Sequence, residues 1–303
     1  MRILLTGASG FIGGAIATHL VSEGHEVIGL HAHPRPWLAN KGVADIVADI
    51  ASTDAMASLS REMEPCDAII HAAASLDMSL FAPDVSRVNC TGLQNLLWLA
   101  TKWRSPKFVF LSSVPVIGIP KFLPITEEHP SQPLTAYHAS KLFGEQLVRL
   151  AEAHGVMGTS LRLTAPVGPQ MPKNRLLAVL VDRSLNNAPL EISGSGSRKQ
   201  NYIDVRDIAR ATELCLKKNT SGVFNIAAAT CISNLELALR CISRCNSTSD
   251  VLFSGRTDPE EGLSWDVSIE KAKNELGFIP QFDIDDAIAA AIADIGRDGN
   301  HTI

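Results

Sequence analysis

Tyr137 and Lys141 stand four positions apart in the segment Tyr-His-Ala-Ser-Lys, and both residue types suit proton transfer. On a helix, this spacing places both side chains on one face. A free phenol has a pKa near ~10 and exchanges protons poorly at neutral pH. We expect the ammonium of Lys141 to stabilise the phenolate and to lower the pKa of Tyr137. The pair is therefore a candidate general acid/base for a carbinol or a carbonyl group.

Ser112 and Ser113 lie upstream, at the end of an apolar run that predicts a strand over 107–112. A hydroxyl group at the carboxyl end of a parallel strand faces the ligand crevice of an open α/β sheet. We predict that Ser113 hydrogen-bonds the substrate oxygen and holds it against Tyr137.

Gly7, Gly10 and Gly13 follow the first apolar strand and open the first helical pattern. Gly7 allows the turn, Gly10 lets the backbone approach phosphates, and Gly13 lets the helix pack closely on the strand. A strand, a glycine turn and a helix N-terminus in this order cradle a dinucleotide pyrophosphate. The sequence thus predicts a nicotinamide cofactor. Lys141 can donate hydrogen bonds to the nicotinamide ribose. The positive nicotinamide ring, like the ammonium of Lys141, favours the phenolate and lowers the pKa of Tyr137.

The elements that must position these residues alternate between apolar strands and helical patterns, which predicts an α/β fold with a doubly wound parallel sheet. Prolines and glycines break this regularity after Leu163, and we interpret the C-terminal half as a smaller α/β substrate-binding lobe. We predict a dinucleotide-binding domain over 1–165, to which 202–229 returns. The substrate-binding lobe then consists of 166–201 and 230–303. The predicted strands are 2–6, 26–31, 45–48, 68–71, 107–112, 159–163 and 225–228, and the predicted helices are 14–22, 53–62, 92–103 and 137–154.

The composition excludes several classes of partner. The 303 residues carry a formal net charge of −5 and no basic stripe, so no nucleic-acid partner is indicated. The N-terminal apolar run is too short for a signal peptide, and no run is long enough to span a bilayer. We therefore expect a cytoplasmic protein without a membrane partner. The six cysteines lack a histidine-rich cluster, so we predict buried, reduced thiols and no metal site.

The predicted helix 92–103 is apolar on more than one face. Burial in the layer beside the sheet would explain this pattern, and so would a subunit interface shared with the helix 137–154. Periodicity does not separate the two explanations. We expect a homodimer formed through these two helices.

Taken jointly, the motifs resemble the extended short-chain dehydrogenases/reductases, in the nucleotide-sugar epimerase/dehydratase group, over nearly the full length of the chain. The resemblance implies a Rossmann domain and an NAD(P)-dependent oxidoreductase or isomerase. The matching segments are Thr6-Gly-Ala-Ser-Gly-Phe-Ile-Gly13, Asp49-Ile50, His71-Ala-Ala-Ala74, Val88-Asn89 with Gly92, Ser112-Ser-Val-Pro-Val-Ile-Gly118, Tyr137-His-Ala-Ser-Lys141, Arg162 with Gly168-Pro169, Tyr202-Ile-Asp-Val-Arg-Asp-Ile-Ala209 and Glu275-Leu-Gly-Phe-Ile-Pro280.

The resemblance also implies roles for individual residues. Ser113, rather than Ser112, aligns with the catalytic hydroxyl of the family, beside Tyr137 and Lys141. Substrate contacts are implied at Ser75, Ser113, Val114, Arg198 and Arg256. Arg256 resembles an arginine that grips a substrate diphosphate, with a solvated loop cation as the alternative. The resemblance implies cofactor contacts at Asp49, Ile50, Ala72, Ala73 and Asn89, with plain packing as the alternative, which is strongest for the alanines. Together with the glycine turn, the Tyr/Lys pair and the end of the second strand, the full set of candidate cofactor residues is Gly7, Ser9, Gly10, Phe11, Ile12, Gly13, His31, His33, Arg35, Asp49, Ile50, His71, Ala72, Ala73, Ala74, Asn89, Leu111, Ser112, Tyr137, Lys141 and Thr164.

The end of the second strand departs from the family pattern. His31 stands where an acidic residue usually binds the ribose 2′-hydroxyl, and His33 and Arg35 follow it. The stretch 31–35 holds no carboxylate and three potential cations, a composition that would suit a 2′-phosphate. We therefore expect NADP(H) in preference to NAD(H), with an exposed polar loop as the alternative.

Two further departures bear on the reaction. Val114 and Pro115 replace the acidic residues that drive elimination in the family's dehydratases, so a 4,6-dehydratase loses support. Ala165 and Gln200 replace an asparagine and an arginine that help to hold a nucleotide sugar. Arg198 and Lys199 lie close enough in the sequence for either to substitute for that arginine.

Three hypotheses follow. The first is an NAD(P)-dependent epimerase or 4-ketoreductase that acts on a nucleoside-diphosphate sugar by hydride transfer assisted by Tyr137. The second, motivated by Ala165 and Gln200, is a carbonyl reductase for a non-nucleotide ketone or alcohol. The third is a cofactor-sensing protein without catalysis, a class in which the Tyr/Lys pair is usually lost.

Overall fold

The structure, a computed structural model, describes residues 1–299 of the chain. Twelve strands and eight α-helices make up the described residues. In chain order they are β1 (Arg2–Thr6), α1 (Phe11–Ser22), β2 (Glu26–His31), β3 (Val43–Val47), α2 (Thr53–Glu62), β4 (Ala68–His71), α3 (Gly92–Trp103), β5 (Lys107–Ser113), α4 (Ala136–Leu150), β6 (Met157–Leu163), β7 (Ala165–Val167), α5 (Leu176–Leu185), β8 (Leu190–Ile192), β9 (Lys199–Asp204), α6 (Val205–Lys217), β10 (Gly222–Ile226), β11 (Cys231–Ser233), α7 (Asn234–Arg244), β12 (Val251–Phe253) and α8 (Ile284–Gly299).

Seven parallel strands form the central sheet in the order β10-β6-β5-β4-β1-β2-β3. Successive side chains of a strand point to opposite faces, so each face of β1 enters its own core. Ile3 packs with Leu20 of α1 and Ile208 of α6, whereas Leu4 packs with Met56 of α2 and Leu96 of α3. Helices therefore cover both faces, and the predicted doubly wound parallel sheet is confirmed.

All seven predicted strands lie in this sheet, with small shifts at the ends of some of them. β3 covers Val43–Val47 instead of 45–48, β6 begins at Met157 instead of 159, and β10 covers Gly222–Ile226 instead of 225–228. The helix predicted over 137–154 ends at Leu150 and continues as a 3₁₀ turn. The apolar pattern of the sequence does not distinguish a final 3₁₀ turn from the α-helix before it, so the end of α4 could not be predicted.

The smaller lobe contains a three-stranded sheet, β11-β9-β7, and a parallel pair, β12-β8. Its core is formed by α5, α7 and α8, with Val181, Leu237 and Ile288 fully buried. Between its segments the chain returns to the larger unit, because α6 packs on α1 and β10 joins the central sheet. The predicted domain limits stay a prediction, and positions 300–303 lie outside the described residues. None of the helices in residues 1–299 has the length and apolar composition needed to cross a lipid bilayer.

Candidate functional site

A cavity of about 830 Å³ opens at the carboxyl edge of the central sheet, and the smaller lobe contributes part of its wall. Parallel strands end at the same edge, so this is where side chains from distant parts of the sequence meet. The predicted site residues that line it are Gly7, Ser9, Gly10, Phe11, Ile12, Gly13, Ala72, Ala73, Ala74, Leu111, Ser112, Ser113, Val114, Tyr137, Lys141 and Thr164.

The glycine turn has no room for a side chain at Gly7 or at Gly13. Gly7 has a φ of +74°, and a Cβ atom there would lie 2.7 Å from the backbone nitrogen of Ala73. A Cβ atom on Gly13 would lie 2.1 Å from the carbonyl oxygen of Gly7, so only glycine lets α1 start this close to β1.

Helix α1 begins directly after Gly10 and points its N-terminus at the cavity wall. Within this described helix, the first turn has neither a side-chain cap nor an acidic residue. Its backbone N–H groups and the positive end of the helix dipole are therefore suited to an anion. The turn and the helix N-terminus together fit the pyrophosphate of a dinucleotide.

Helix α4 presents Tyr137 and Lys141 on the face that borders the cavity. Thr135 caps the helix, since its hydroxyl oxygen accepts a hydrogen bond from the backbone N–H of His138 at 3.2 Å. The Nζ atom of Lys141 lies 5.6 Å from the ring centre of Tyr137. It donates a hydrogen bond to the carbonyl oxygen of Leu111 at 2.7 Å, which fixes the lysine in a buried position.

Burial acts on the charges of both residues. It lowers the pKa of Lys141 to about 8, although the carboxylate of Glu145 acts in the raising direction. It raises the pKa of Tyr137 to about 12, with the guanidinium of Arg175 acting in the lowering direction. The residues of the chain therefore do not by themselves lower the tyrosine pKa, because desolvation of the phenolate outweighs the attraction of Arg175. The expected lowering, which also invoked the positive nicotinamide ring, stays a prediction for the complex with the cofactor.

The two serines at the end of β5 have different surroundings. Ser112 donates a hydrogen bond to Oε1 of Glu145 at 2.5 Å, and Glu145 pairs with Arg162 at 2.8 Å inside the protein. Ser112 is therefore held by a buried ion pair. Ser113, the last residue of β5, lines the cavity that Tyr137 borders, and its catalytic role stays a prediction.

Seven predicted cofactor residues lie outside the cavity lining, namely His31, His33, Arg35, Asp49, Ile50, His71 and Asn89. His71 is buried and shares a hydrogen bond with the hydroxyl of Thr6 at 2.8 Å, and burial lowers its pKa to about 3. Asp49 pairs with Arg87 at 2.6 Å on the surface. Ile50 packs against Gly92, where an added Cβ atom would lie 2.8 Å from its side chain.

Asn89 and Ser75 also lie outside the lining, but they shape it. Oδ1 of Asn89 accepts a hydrogen bond from the backbone N–H of Ser75 at 2.8 Å, and its Nδ2 donates to the hydroxyl of Ser140 on α4. Asn89 thus fastens the segment that follows β4 to the helix that carries Tyr137.

The two arginines predicted to contact substrate do not converge on the cavity. Arg198 pairs with Glu260 at 2.8 Å, and Arg256 is exposed and lies 3.7 Å from Glu191. Arg175, at the N-terminus of α5, lines the cavity instead. The sequence carries no motif that singles out Arg175, because it follows an irregular segment rich in prolines.

Other lining residues come from the lobe, and no spacing pattern in the sequence indicates them. They include Asn201 and Trp265, together with Gln200, which stands where the family has an arginine. In residues 1–299, no group of three or more His, Cys, Asp or Glu side chains is arranged to hold a metal ion.

Comparison with known proteins gives a consistent result. The model of the NAD dependent epimerase/dehydratase family matches residues 3–227. A UDP-glucose 4-epimerase of Lactobacillus helveticus is 28% identical, with 96% of this chain and 96% of its own length covered. A dTDP-glucose 4,6-dehydratase of Streptomyces niveus is also 28% identical, with 96% and 92% covered.

Solved structures share the fold. The UDP-glucose 4-epimerase of Thermotoga maritima, crystallised with UDP-glucose, has a TM-score of 0.89 at 22% identity, with 98% of this chain and 99% of that chain covered. The UDP-glucose 4-epimerase of Thermus thermophilus, in complex with NAD, has a TM-score of 0.85 at 24% identity, with 98% and 99% covered.

The expectation of NADP(H) is wrong. The matching family is NAD-dependent, and the Thermus thermophilus structure holds NAD. The physical reason lies at the end of β2. Burial lowers the pKa of His31, which favours its neutral form, and the carboxylate of Asp45 lies 3.8 Å from its ring. Because His31 is neutral, only Arg35 and the exposed His33 remain as possible cations in the stretch 31–35. The carboxylate of Asp45 also accepts a hydrogen bond from the backbone N–H of Arg35.

The matched stretch contains the glycine turn, the end of β5 and the start of α4, all of which border the cavity. It covers well over half of the chain. The protein therefore belongs to the NAD-dependent epimerase/dehydratase family, enzymes of the extended short-chain dehydrogenase/reductase type.

Proposed function

We propose that this protein is an NAD-dependent 4-epimerase that acts on a nucleoside-diphosphate sugar, with Tyr137 as its acid and base. The observation that carries the proposal is the meeting of Ser113, Tyr137 and Lys141 with the glycine turn on one cavity. Relatives that match along almost the whole chain include UDP-glucose 4-epimerases, which supports the choice of substrate class. The expectation of NADP(H) was the argument for a 4-ketoreductase, and it has been overturned.

The chain's own residues would hold the cofactor at three places. Gly7, Gly10 and the first turn of α1 would bind the pyrophosphate, and Lys141 would donate hydrogen bonds to the nicotinamide ribose. When bound, NAD supplies a hydride acceptor and donor for the sugar carbon and a positive charge near the phenol. That charge acts to lower the pKa of Tyr137, against the effect of burial.

In the proposed reaction, the Tyr137 phenolate removes the proton of the sugar hydroxyl and later returns it to the same oxygen. Ser113 hydrogen-bonds that oxygen and keeps it beside the phenol. Bound NAD would accept the hydride from the sugar carbon and would return it to the opposite face of that carbon, so the cycle would give no net oxidation. Val114 and Pro115 follow Ser113 and carry no transferable proton, which disfavours elimination even though dehydratases are among the relatives.

We further propose that Arg175 binds the diphosphate of the substrate. It lines the cavity at the N-terminus of α5, where the helix dipole also favours an anion. Arg198 and Arg256, predicted for this role, are instead close to the carboxylates of Glu260 and Glu191. We also propose that the protein forms a homodimer, in which α3 and α4 pack against a second copy of the chain.

The test uses purified protein with UDP-galactose or UDP-glucose and no added cofactor. We expect oxidised NAD to co-purify, and NMR to show interconversion of the two sugars. Turnover that requires stoichiometric reduced cofactor would contradict epimerisation and indicate a reductase.

A carbonyl reductase for a substrate without a nucleotide is the second candidate. The exposed Leu76 and Met78 at the cavity, together with the paired Arg198, favour it. Thermal-shift measurements with UDP and dTDP separate the candidates, because a nucleotide-sugar enzyme gains stability from the diphosphate. The third hypothesis, a non-catalytic sensor, would regain support if Tyr137→Phe left the turnover of a confirmed substrate unchanged.

A further inference from the structure

The ring of His31 turns back over the sheet instead of extending β2 into the crevice. A Cβ atom on Gly29 would lie 2.6 Å from its Nε2. Its Nδ1 lies 3.4 Å from the hydroxyl of Ser9 in the glycine turn, and its Nε2 lies 3.8 Å from Oδ1 of Asp45 on β3. The histidine therefore connects the turn that would hold the pyrophosphate with a carboxylate on the neighbouring strand.

Asp45 is placed directly opposite Gly29 in the parallel register of β2 and β3. Its Oδ2 accepts a hydrogen bond from the backbone N–H of Arg35 at 2.6 Å. Its Oδ1 is buried and has no hydrogen-bond partner among residues 1–299. Because this oxygen is buried and makes no hydrogen bond, solvent screens it poorly from a charge placed nearby.

We propose that Asp45 supplies, from β3, the carboxylate that the end of β2 lacks, and that it selects a dinucleotide with a free ribose 2′-hydroxyl over one with a 2′-phosphate. A phosphate at this corner brings about two negative charges toward a carboxylate in a region of low dielectric. The neutral imidazole of His31 between them does not offset that repulsion. The inference rests on the NAD dependence of the family. It concerns Asp45 on β3, whereas the family usually carries its acidic residue at the position of His31, at the end of β2.

Arg35 and His33 do not remove the repulsion. The backbone of Arg35 is bound to Asp45, and its guanidinium is exposed, with Nη1 3.5 Å from the carbonyl oxygen of Pro34. His33 is exposed to solvent. Exposed cations are screened by water and salt, whereas the carboxylate is only 17% exposed.

The experiment compares the dissociation constants of NAD⁺ and NADP⁺ by isothermal titration calorimetry on full-length protein freed of bound cofactor. We expect the wild type to bind NAD⁺ at least ~10-fold more tightly than NADP⁺. In Asp45→Asn the oxygen that accepts from Arg35 is retained and the charge is lost. This variant should reduce the ratio by about tenfold, mainly through tighter binding of NADP⁺.

Two variants are controls. Asp67→Asn makes the same change at the start of β4, at the opposite edge of the sheet, where the carboxylate accepts from the backbone N–H of Arg2. It should leave the ratio unchanged. Asp45→Glu keeps the charge and should keep the preference for NAD⁺. If Asp45→Asn does not fold, Asp45→Ser retains a hydroxyl acceptor and carries the same expectation.

The outcomes separate this inference from the proposed function. Binding of NAD⁺ with an unchanged ratio in both Asp45→Asn and Asp45→Ser would overturn the role of Asp45 and leave the proposed epimerase intact. A wild type that prefers NADP⁺ would overturn the inference as well. A wild type that binds neither dinucleotide would overturn both.

Discussion

Tyr137 and Lys141 are both held toward their uncharged forms, since burial raises the pKa of the phenol to about 12 and lowers that of the amine to about 8. Their spacing could be predicted from the sequence, because it depends only on the period of a helix. Their pKa values could not, because the extent of burial is set by residues that are distant in the sequence. The proposed acid/base function therefore depends on the positive charge of the bound cofactor.

The first prediction concerns the hydroxyl of Tyr137. We expect Tyr137→Phe to lower kcat by ~10²- to 10⁴-fold, the usual contribution of a positioned acid/base group, with the affinity for NAD⁺ nearly unchanged. The chain has two tyrosines, and Tyr202 provides a matched control. Burial also raises its pKa to about 12, yet Tyr202 lies outside the lining of the catalytic cavity. Tyr202→Phe should retain activity, and comparable losses in the two variants would argue against proton transfer at Tyr137.

The second prediction is that Lys141→Met is inactive and more stable than the wild type at pH 7. A fall of the lysine pKa from its ordinary 10.5 to about 8 corresponds to roughly 3 kcal/mol of unfolding free energy. Loss of the hydrogen bond to Leu111 destabilises the variant by about 1 kcal/mol, which reduces this gain. We therefore expect a net gain of roughly 2 kcal/mol, measured by urea unfolding.

The pH dependence of this gain follows from proton linkage. Below pH 8, folded and unfolded chains both keep the lysine proton, and the cost of burying the charge is present in full. Between pH 8 and 10.5, only the unfolded chain keeps it, so the unfolding free energy of the wild type rises with pH. The advantage of Lys141→Met should shrink over that window. Lys102→Met, which changes an exposed lysine on α3, should show no such trend, and a less stable Lys141→Met at pH 7 would refute the argument.

At the scale of elements, the sequence predicts the central sheet well and the lobe poorly. Most strands of the sheet are buried on both faces, and strands such as β1, β2 and β4 appear as short apolar runs, which is a strong signal. In the lobe, β7, β8, β11 and β12 have three residues each, too few to establish a period. Arg175 and Trp265 could not be assigned to the site, since irregular segments of the chain bring them there, and Asn201 on β9 belongs to no motif that indicates a site.

The third prediction concerns the link between α4 and β6. Glu145 on α4 and Arg162 on β6 form a buried ion pair, with Nε and Nη2 of the arginine 2.9 and 2.8 Å from the two carboxylate oxygens. Glu145→Gln leaves the guanidinium buried without its partner, so we expect a loss of about 3–5 kcal/mol in chemical unfolding. Removing both charges in Glu145→Gln with Arg162→Met should recover much of that loss.

An exposed pair gives the matched control for this prediction. Glu236 and Arg240 lie one helical turn apart on α7, with 3.0 Å between their charged atoms. Glu236→Gln should cost only about 0.5 kcal/mol, because solvent screens the pair. Equal losses of unfolding free energy for Glu145→Gln and Glu236→Gln would show that burial does not raise the cost of breaking the Glu145–Arg162 ion pair.

At the scale of the whole molecule, the apolar pattern of 92–103 had two explanations, burial beside the sheet and a subunit interface. Some residues of α3 fit each of them. Leu93, Leu96 and Leu99 are fully buried beneath the sheet, as burial in the sheet layer requires. Trp98 lies on the outer side of the same helix with 40% of its surface exposed, and Phe143 on α4 is exposed to the same extent. Sequence periodicity could not separate these faces, because both are apolar.

The last prediction is that α3 and α4 form a homodimer interface with a second copy of the chain. Phe143 and Leu150 are seven residues apart on α4, and therefore share one face that is apolar and exposed. An aspartate in the centre of such a face would be desolvated on association, so Phe143→Asp should shift a dimer to monomer in light scattering coupled to size exclusion, with its circular dichroism unchanged. Phe81→Asp makes the same substitution at a phenylalanine that is 89% exposed in a loop, and it should remain dimeric. A monomeric wild type, or a Phe143→Asp variant that still dimerises, would place the interface elsewhere or remove it, and α3 would then be explained by burial alone.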